Sequence, residues 1–589
     1  MALRALLPAL LTPAVLTAQA GGAIADHVLT GGQVVTVDED FTIAEAVAIK
    51  DGKIARVGTS AFVSELIGAA TEVIELEGRT VVPGFIDGHA HMDREGLKFL
   101  HPDLSGARSV AAIVETIRRE AASKAPGEWI VTMPIGDYPF YFDAESPSFL
   151  TEGRFPTRHD LDEAAPDNPV YIKAGWYYWR SKTPLVSVAN TAALRAAGIT
   201  RDTTSPHESI EIARDASTGE PTGVFLEHGG FGTIEFNLMK AVPRFTHEDR
   251  VRALRLGMKR YLAVGTTSVY EGHGVSASTI RAYRELWEMG ELIVRSYLVH
   301  SPSWDAVPEA ELDEFFEQWL PHLSGHGFGD EMLKLGGIWT DVGTNPMTEL
   351  RKRGRPYTGW AGQAVDANLH PERGTFFELV LAAARARVRA NMLWYVPNVL
   401  TRQLDALERV DAEVSIADQR FVVEHLTFVT DAQQERIKQL GLVATVLPNG
   451  NIWKSGGALT EGASASKLET FVPLRSFIDK GIPFAIASDN KPIEPLVALW
   501  SAVARSAREN GEVLAPSQRI TRAEALRALT MGGAYLSFEE DIKGSIEAGK
   551  LADLAVLSDD VLRCAVDAIP EIDVVLTMVG GKVVHRLER

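Results

Sequence analysis

The sequence predicts an α/β fold: a (β/α)8 barrel, a composite β-sandwich assembled from the N- and C-terminal segments, and a subdomain inserted into the barrel. Three observations lead there. Both ends of the chain carry short strand-like runs joined by tight glycine turns. Between them apolar strands alternate with helical stretches, the pattern of a parallel sheet with helical crossovers, and about eight such strands suit a closed barrel. The 589 residues would fill three or four units at roughly 150 residues each, although a barrel can hold more than 200 in one domain.

Taken in order, residues 1–20 read as a cleavable export leader. Met1 to Arg4 is a weakly basic start, 5–16 is apolar, and Ala18-Gln19-Ala20 has the small-x-small form of a cleavage site. The expected location is therefore periplasmic or secreted, or cytoplasmic if the leader is not functional. The apolar run is shorter than the ~20 residues a membrane span needs, and no later segment is long and apolar enough. Residues 26–37 alternate around Gly31-Gly32, and 46–58 around Asp51-Gly52. The same texture returns at 554–557 and 574–584, with its turn at Gly580-Gly581. Isolated hairpins are only marginally stable, so 21–82 and 541–589 are expected to form one sandwich. The barrel then occupies 83–540. Its helical stretches are 110–124, 247–263, 375–390 and 431–440, and its strand-like runs are 81–86, 170–173, 266–270, 292–299, 332–338, 421–424, 443–447 and 484–487. The interval 96–260 is too long for one crossover and is expected to hold the insertion.

Composition narrows the function. With 46% hydrophobic and 23% charged residues, the chain has the makings of a large core and not of a disordered one. Its 59 Lys+Arg against 78 Asp+Glu leave a net charge of −19, which opposes binding to nucleic acid or other polyanions. The partner expected is a small-molecule substrate; self-association is left open. Cys564 is the sole cysteine, so a disulfide framework or cysteine metal cluster is excluded. Any metal must be held by histidine and carboxylate.

Such a site begins at Val82-Pro83-Gly84-Phe85-Ile86-Asp87-Gly88-His89-Ala90-His91. An apolar strand runs into His-x-His, and side chains at i and i+2 of a strand point the same way, so both imidazoles can reach one ion. At the C-terminal mouth of a barrel strand the pair would face the centre where active sites form. Imidazole suits zinc and neighbouring divalent ions.

These residues resemble the metal-dependent amidohydrolase superfamily, and within it the amidohydrolase-3 branch, which includes N-substituted formamide deformylases. The resemblance continues through Leu161-Asp162-Glu163-Ala164-Ala165-Pro166, Asn190-Thr191-Ala192-Ala193-Leu194, Pro221-Thr222-Gly223-Val224 and Thr521-Arg522-Ala523-Glu524-Ala525-Leu526 to the ending 543–554. It implies a TIM-like barrel with a composite sandwich, in agreement with the strand pattern. It further implies that His425, in Val422-Val423-Glu424-His425, is a metal ligand, and that Asp489, in Ala487-Ser488-Asp489, touches the metal and handles the proton. Lys334 falls where members of the family can carry a carboxylated lysine bridging two ions. The implied cofactor is Zn2+ or another divalent ion, one or two per chain. A metal lowers the pKa of water, and a carboxylate beside it can carry the proton to a leaving amine.

The chain also departs from the pattern. The helix Leu404-Asp405-Ala406-Leu407-Glu408 anchors the count back to Asn391 and Leu393, where the family has histidines, and Val396-Pro397 stands in place of its Gly-Asp. Leu185 occupies another frequent histidine position. His273, in Tyr270-Glu271-Gly272-His273, is a candidate replacement ligand. Trp176 and Trp394 are candidate substrate-binding aromatics. The expected function is a metal-dependent hydrolase that cleaves an amide-type C–N bond of a small apolar or aromatic substrate through metal-activated water. The alternatives are ester or lactone hydrolysis on the same scaffold, or a catalytically impaired barrel acting as a binding protein.

Overall fold

The computed structural model describes residues 24–588 apart from 142–143, 145, 176–182, 229–231, 302–306, 308, 342–374 and 394–396. The expected leader, Trp176 and Trp394 lie outside the described residues. Eight parallel strands form the barrel: β1 (Phe85–Asp87), β2 (Thr266–Val275), β3 (Arg295–His300), β4 (Leu333–Asp341), β5 (Ala390–Leu393), β6 (Val422–Glu424), β7 (Val443–Val446) and β8 (Phe484–Ile486), each paired with the next. The first and last strands approach one another where Gly88 N donates to Ile486 O (3.2 Å) and Asp489 N to His89 O (2.9 Å). The barrel expected from the alternation of strands and helices is present.

The interior is packed. Tyr270, Tyr297, Val299, Trp339, Leu393, Val422, Val443, Ala485 and Leu536 form one buried cluster. Leu536 enters at the N-terminal end of the strands from the helix Met531–Leu536, and the Arg389 guanidinium lies over the rings of Tyr270, Tyr297 and Phe538. With that end of the barrel interior filled, chemistry inside the barrel is left to the C-terminal mouth.

The run expected as one strand over 81–86 is two. Thr80–Pro83 pairs with Leu554–Leu557 and with Gln33–Val35, so it belongs to the sandwich, and β1 begins only after Gly84. A side chain at Gly84 would place its Cβ 2.2 Å from Thr267 Oγ1, so the chain turns from sandwich into barrel where only glycine fits. The sandwich has a four-stranded sheet drawn from the N-terminal segment. Its second, six-stranded sheet joins Gln33–Val35, Ile43–Ala44 and Thr80–Pro83 to Leu554–Leu557, Val574–Val579 and Lys582–Arg586. Neither end of the chain makes this layer alone.

Between β1 and β2 lies a five-stranded sheet built from Ile130–Thr132, Val170–Ile172, Leu185–Ala189, Ile210–Arg214 and Pro221–Glu227. The run expected as a barrel strand at 170–173 belongs here, held by Ile130–Thr132 and Leu185–Ala189. Leu185 faces Glu227 across this sheet. Phe140 of the insertion meets the Trp453 ring at 5.7 Å, which sets the insertion against the barrel mouth. The helix expected over 375–390 ends at Arg385, because the backbone turns left-handed at Arg387 (φ 54°), and Ala390 starts β5.

Two helices hold the first site strand in place. α1 (Met92–Leu97) follows His91 directly, and α2 (His247–Ala263) starts with a capping box in which Thr246 and Asp249 satisfy each other's backbone. They cross so closely that a Cβ at Gly96 would lie 1.7 Å from Ala253 O and one at Gly257 2.2 Å from Met92 O. Among the described residues no helix is long and apolar enough to cross a membrane.

Lys334 requires a correction. It is the second residue of β4, at the filled N-terminal end, and its Nζ donates to Glu539 Oε1 at 2.8 Å. Glu539 also pairs with Lys543 at 2.6 Å. Burial by itself raises the Glu539 carboxyl, but Lys543 and Lys334 outweigh it and hold the group down at about 2. Because the folded value lies below the ordinary 4.5, this contribution to stability is complete above that value and is lost as pH falls toward 2. Glu539→Gln is expected to cost about 3 kcal/mol at neutral pH, since it leaves two ammonium groups facing a neutral amide. The gap in melting temperature between variant and wild type should shrink severalfold between neutral pH and pH 2.5; an equal gap at both pH values would disprove this account.

Candidate metal centre

The site lies at the mouth of the barrel. His89 and His91 follow β1, His273 lies near the end of β2, His425 follows β6, and Asp489 lies just beyond β8. His91 Nε2 is 2.9 Å from Asp489 Oδ1, His425 Nε2 is 3.3 Å from Asp489 Oδ2, and the Nε2 atoms of His425 and His89 are 3.2 Å apart. Ligand atoms at 2.0–2.2 Å around a tetrahedral ion lie roughly 3.3 Å from one another. His89, His425 and Asp489 therefore have the spacing of one coordination shell, and His91 adjoins it through the other Asp489 oxygen.

Donor chemistry agrees with geometry. His89 and His91 are buried. Burial pushes the His89 imidazole down to about 4, and it drives His91, His273 and His425 well below their ordinary value, so all four are neutral and carry lone pairs at neutral pH. Buried His89 Nδ1 makes no hydrogen bond. Asp489 is the anion of the set. Burial raises its carboxyl, but Lys491, whose Nζ is 2.5 Å from Oδ2, and His425 prevail and hold it well below the usual carboxylate range. Neutral imidazoles facing one carboxylate in a closed space fit a divalent ion.

The backbone is strained where it presents these groups. His425 (φ 63°), Asp489 (φ 48°) and Asn490 (φ 54°) are all left-handed, a conformation that costs a non-glycine residue about 1–3 kcal/mol and persists where the surroundings over-determine it. Asn490 supplies part of that surrounding. Its side chain accepts from His91 N (3.2 Å) and Tyr261 Oη (2.8 Å) and donates to His91 O (3.0 Å). Asp87 accepts from Ser488 N (2.9 Å), from Ser488 Oγ and from His89 N (3.1 Å). Burial lifts the Asp87 carboxyl to about 7.

Of the metal ligands expected from sequence, His89, His91, His425 and Asp489 come together, and Lys334 does not join them. Leu393 packs in the barrel interior, and Asn391 Oδ1 accepts from Tyr270 Oη at 2.6 Å, so β5 contributes no imidazole. Two carboxylates escaped the sequence reading. Glu424 Oε2 stands 3.7 Å from His89 Nδ1, and Glu271 Oε2 stands 3.7 Å from His91 Nδ1. Glu271 also accepts from Met92 N (2.8 Å) and Tyr283 Oη (2.6 Å), and burial and Asp93 raise it to about 8. At 3.7 Å neither contact is a hydrogen bond, but each carboxyl group stands behind a ring in the place from which such a group can orient a metal-binding imidazole. The available signal was position: each lies one or two residues before a strand-end histidine.

A model of the family described as "Amidohydrolase family" matches residues 72–585. The chain is 29% identical over 578 residues to an N-substituted formamide deformylase of Arthrobacter pascens, covering 96% of this chain and 98% of that protein. It is 26% identical over 565 residues to the putative amidohydrolase YtcJ of Bacillus subtilis, covering 94% and 98%. Its fold resembles the crystal structure of an uncharacterized metal-dependent hydrolase from Pyrococcus furiosus, with a TM-score of 0.64 at 22% identity over 91% of this chain and all of that one. The match spans barrel and sandwich together, and the chain belongs to the amidohydrolase family.

Proposed function

We propose that this hydrolase cleaves the amide-type C–N bond of a small N-formyl or N-acyl amine, using a divalent ion, zinc foremost, held by His89, His91, His425 and Asp489. The observation that carries this reading is the convergence of His89, His425 and Asp489, whose donor atoms lie within 4.8 Å of one another at the barrel mouth, with His91 2.9 Å from the second Asp489 oxygen. The formamide deformylase among the relatives supports the bond type. When bound, the ion supplies Lewis-acid activation of water and of the carbonyl.

The protein's own groups do the rest. His89 and His91 present lone pairs because burial keeps them neutral. Water adds to the carbonyl carbon, and Asp489 takes its proton and returns it to the leaving nitrogen; the C–N bond breaks to give a carboxylic acid and an amine. A carboxyl held low by Lys491 gives up its proton readily to an amine. Phe140 and Trp453 meet edge to face on the insertion side of the mouth and suit an apolar or aromatic substituent.

Dialysis against a chelator is expected to remove metal and activity together, with Zn2+ restoring both. A panel of N-formyl amines, N-acyl amines, esters and lactones should show turnover of the first two classes above the others. Full activity in metal-stripped protein, or turnover confined to esters, would defeat the proposal.

A further inference from the structure

β5 supplies no imidazole, and β2 supplies one that the ligand set above does not use. β2 is ten residues long, and its pairing with β3 slips between Glu271 and Val275. Such a bulge bends a strand and re-aims a side chain. The two glycines beside His273 make the bend sterically possible. A Cβ at Gly272 would lie 2.7 Å from Glu424 Oε1 and 3.0 Å from His89 Nδ1. Gly274 has φ +72°, and a Cβ there would lie 2.6 Å from Trp339 Cβ. Glycine at both positions lets the strand end press against the cluster with His273 between them.

The result is a second set of converging donors. His89, His91 and His273 each place a ring nitrogen within 4.8 Å of the others. Their ring centroids are 5.1, 5.6 and 5.5 Å apart for the pairs 89–91, 89–273 and 91–273. Three imidazoles bound through nitrogen at 2.0–2.1 Å to one tetrahedral ion have centroids roughly 5 Å apart. Trp339 lies 4.8 Å from the His273 ring and packs against it.

We infer that His273 is a ligand to the same ion, supplying from β2 the imidazole that β5 lacks. This rests on the metal-dependent reading above. It differs from that reading in assigning the β5 departure to a relocated ligand instead of a lost one.

The test uses the full-length protein stripped of metal and titrated with Co2+, with affinity read by competition against a chromophoric chelator and coordination read from the visible spectrum. His273→Ala is expected to weaken Co2+ binding by more than about 100-fold, beyond the 10–100-fold typical of residues that only orient a ligand, and to change the spectrum. His273→Cys should recover binding and add a sulfur-to-cobalt charge-transfer band in the near ultraviolet, which a merely structural role would not produce. If wild type binds Co2+ while His273→Ala matches it in affinity and spectrum, or folded His273→Cys shows no such band, the His273 assignment is wrong and the metal reading stands. If wild type itself binds no Co2+, both fall.

Discussion

His91→Ala is expected to leave the protein folded, without bound metal and without measurable turnover. His91 faces Asp489 Oδ1 at 2.9 Å with Glu271 behind it, so its loss removes a donor and separates the carboxylate from its nearest imidazole. Outer partners of metal ligands are worth about 10–100-fold in affinity or activity; a direct ligand should exceed that, and a fall in kcat/KM of more than about 10³-fold is the expected outcome. Metal analysis of the purified variant beside its circular dichroism spectrum separates loss of the ion from loss of the fold. α1 and α2 remain locked by their glycine contacts, which is the reason to expect an intact barrel. A variant that keeps a full equivalent of metal and its activity would place the site elsewhere.

Asp489→Asn is expected to lower kcat by about 10²–10⁴-fold, the range for removing a positioned proton carrier, with KM changed far less. Asparagine matches the shape and keeps an oxygen toward His91, and the backbone bond from residue 489 to His89 O remains. The amide cannot accept the proton of water and pass it to the leaving nitrogen. The measurement is steady-state kinetics at saturating Zn2+ with metal content determined in parallel, since the lost charge also weakens the site. If kcat stays within a factor of five of wild type at full occupancy, Asp489 does not carry the proton.

Much of this could be read from the chain. The (β/α)8 barrel followed from alternating apolar strands and helices, and the composite sandwich from matching hairpin textures at the two ends; both are present. His89 and His91 were legible as a His-x-His that ends an apolar strand, although both lie just beyond β1 and not on it as expected. His425 and Asp489 were implied by family resemblance. Lys334 was given its role by family resemblance alone, although its place near the start of the expected strand 332–338 puts it at the end opposite the strand-end histidines. Its pairing with Glu539, from the segment that follows the helix Met531–Leu536, emerges only when that segment meets the strand. Likewise 170–173 was indistinguishable from a barrel strand until its neighbours in the insertion were known.

Short-range sterics and hydrophobic period thus settled the fold class and most of the barrel strands, but not β5, which the expected helix over 375–390 overran. Pairing across hundreds of residues decided the rest. Glu271 and Glu424 stand behind histidines from another strand, His273 turns inward through a bulge between two glycines, and Asp489 meets His91 across the seam of the barrel. The physical reason is that a side chain's role in the centre depends on what desolvates it and what faces it. The same histidine is a neutral metal donor when buried among carboxylates and imidazoles and an ordinary titrating base in water.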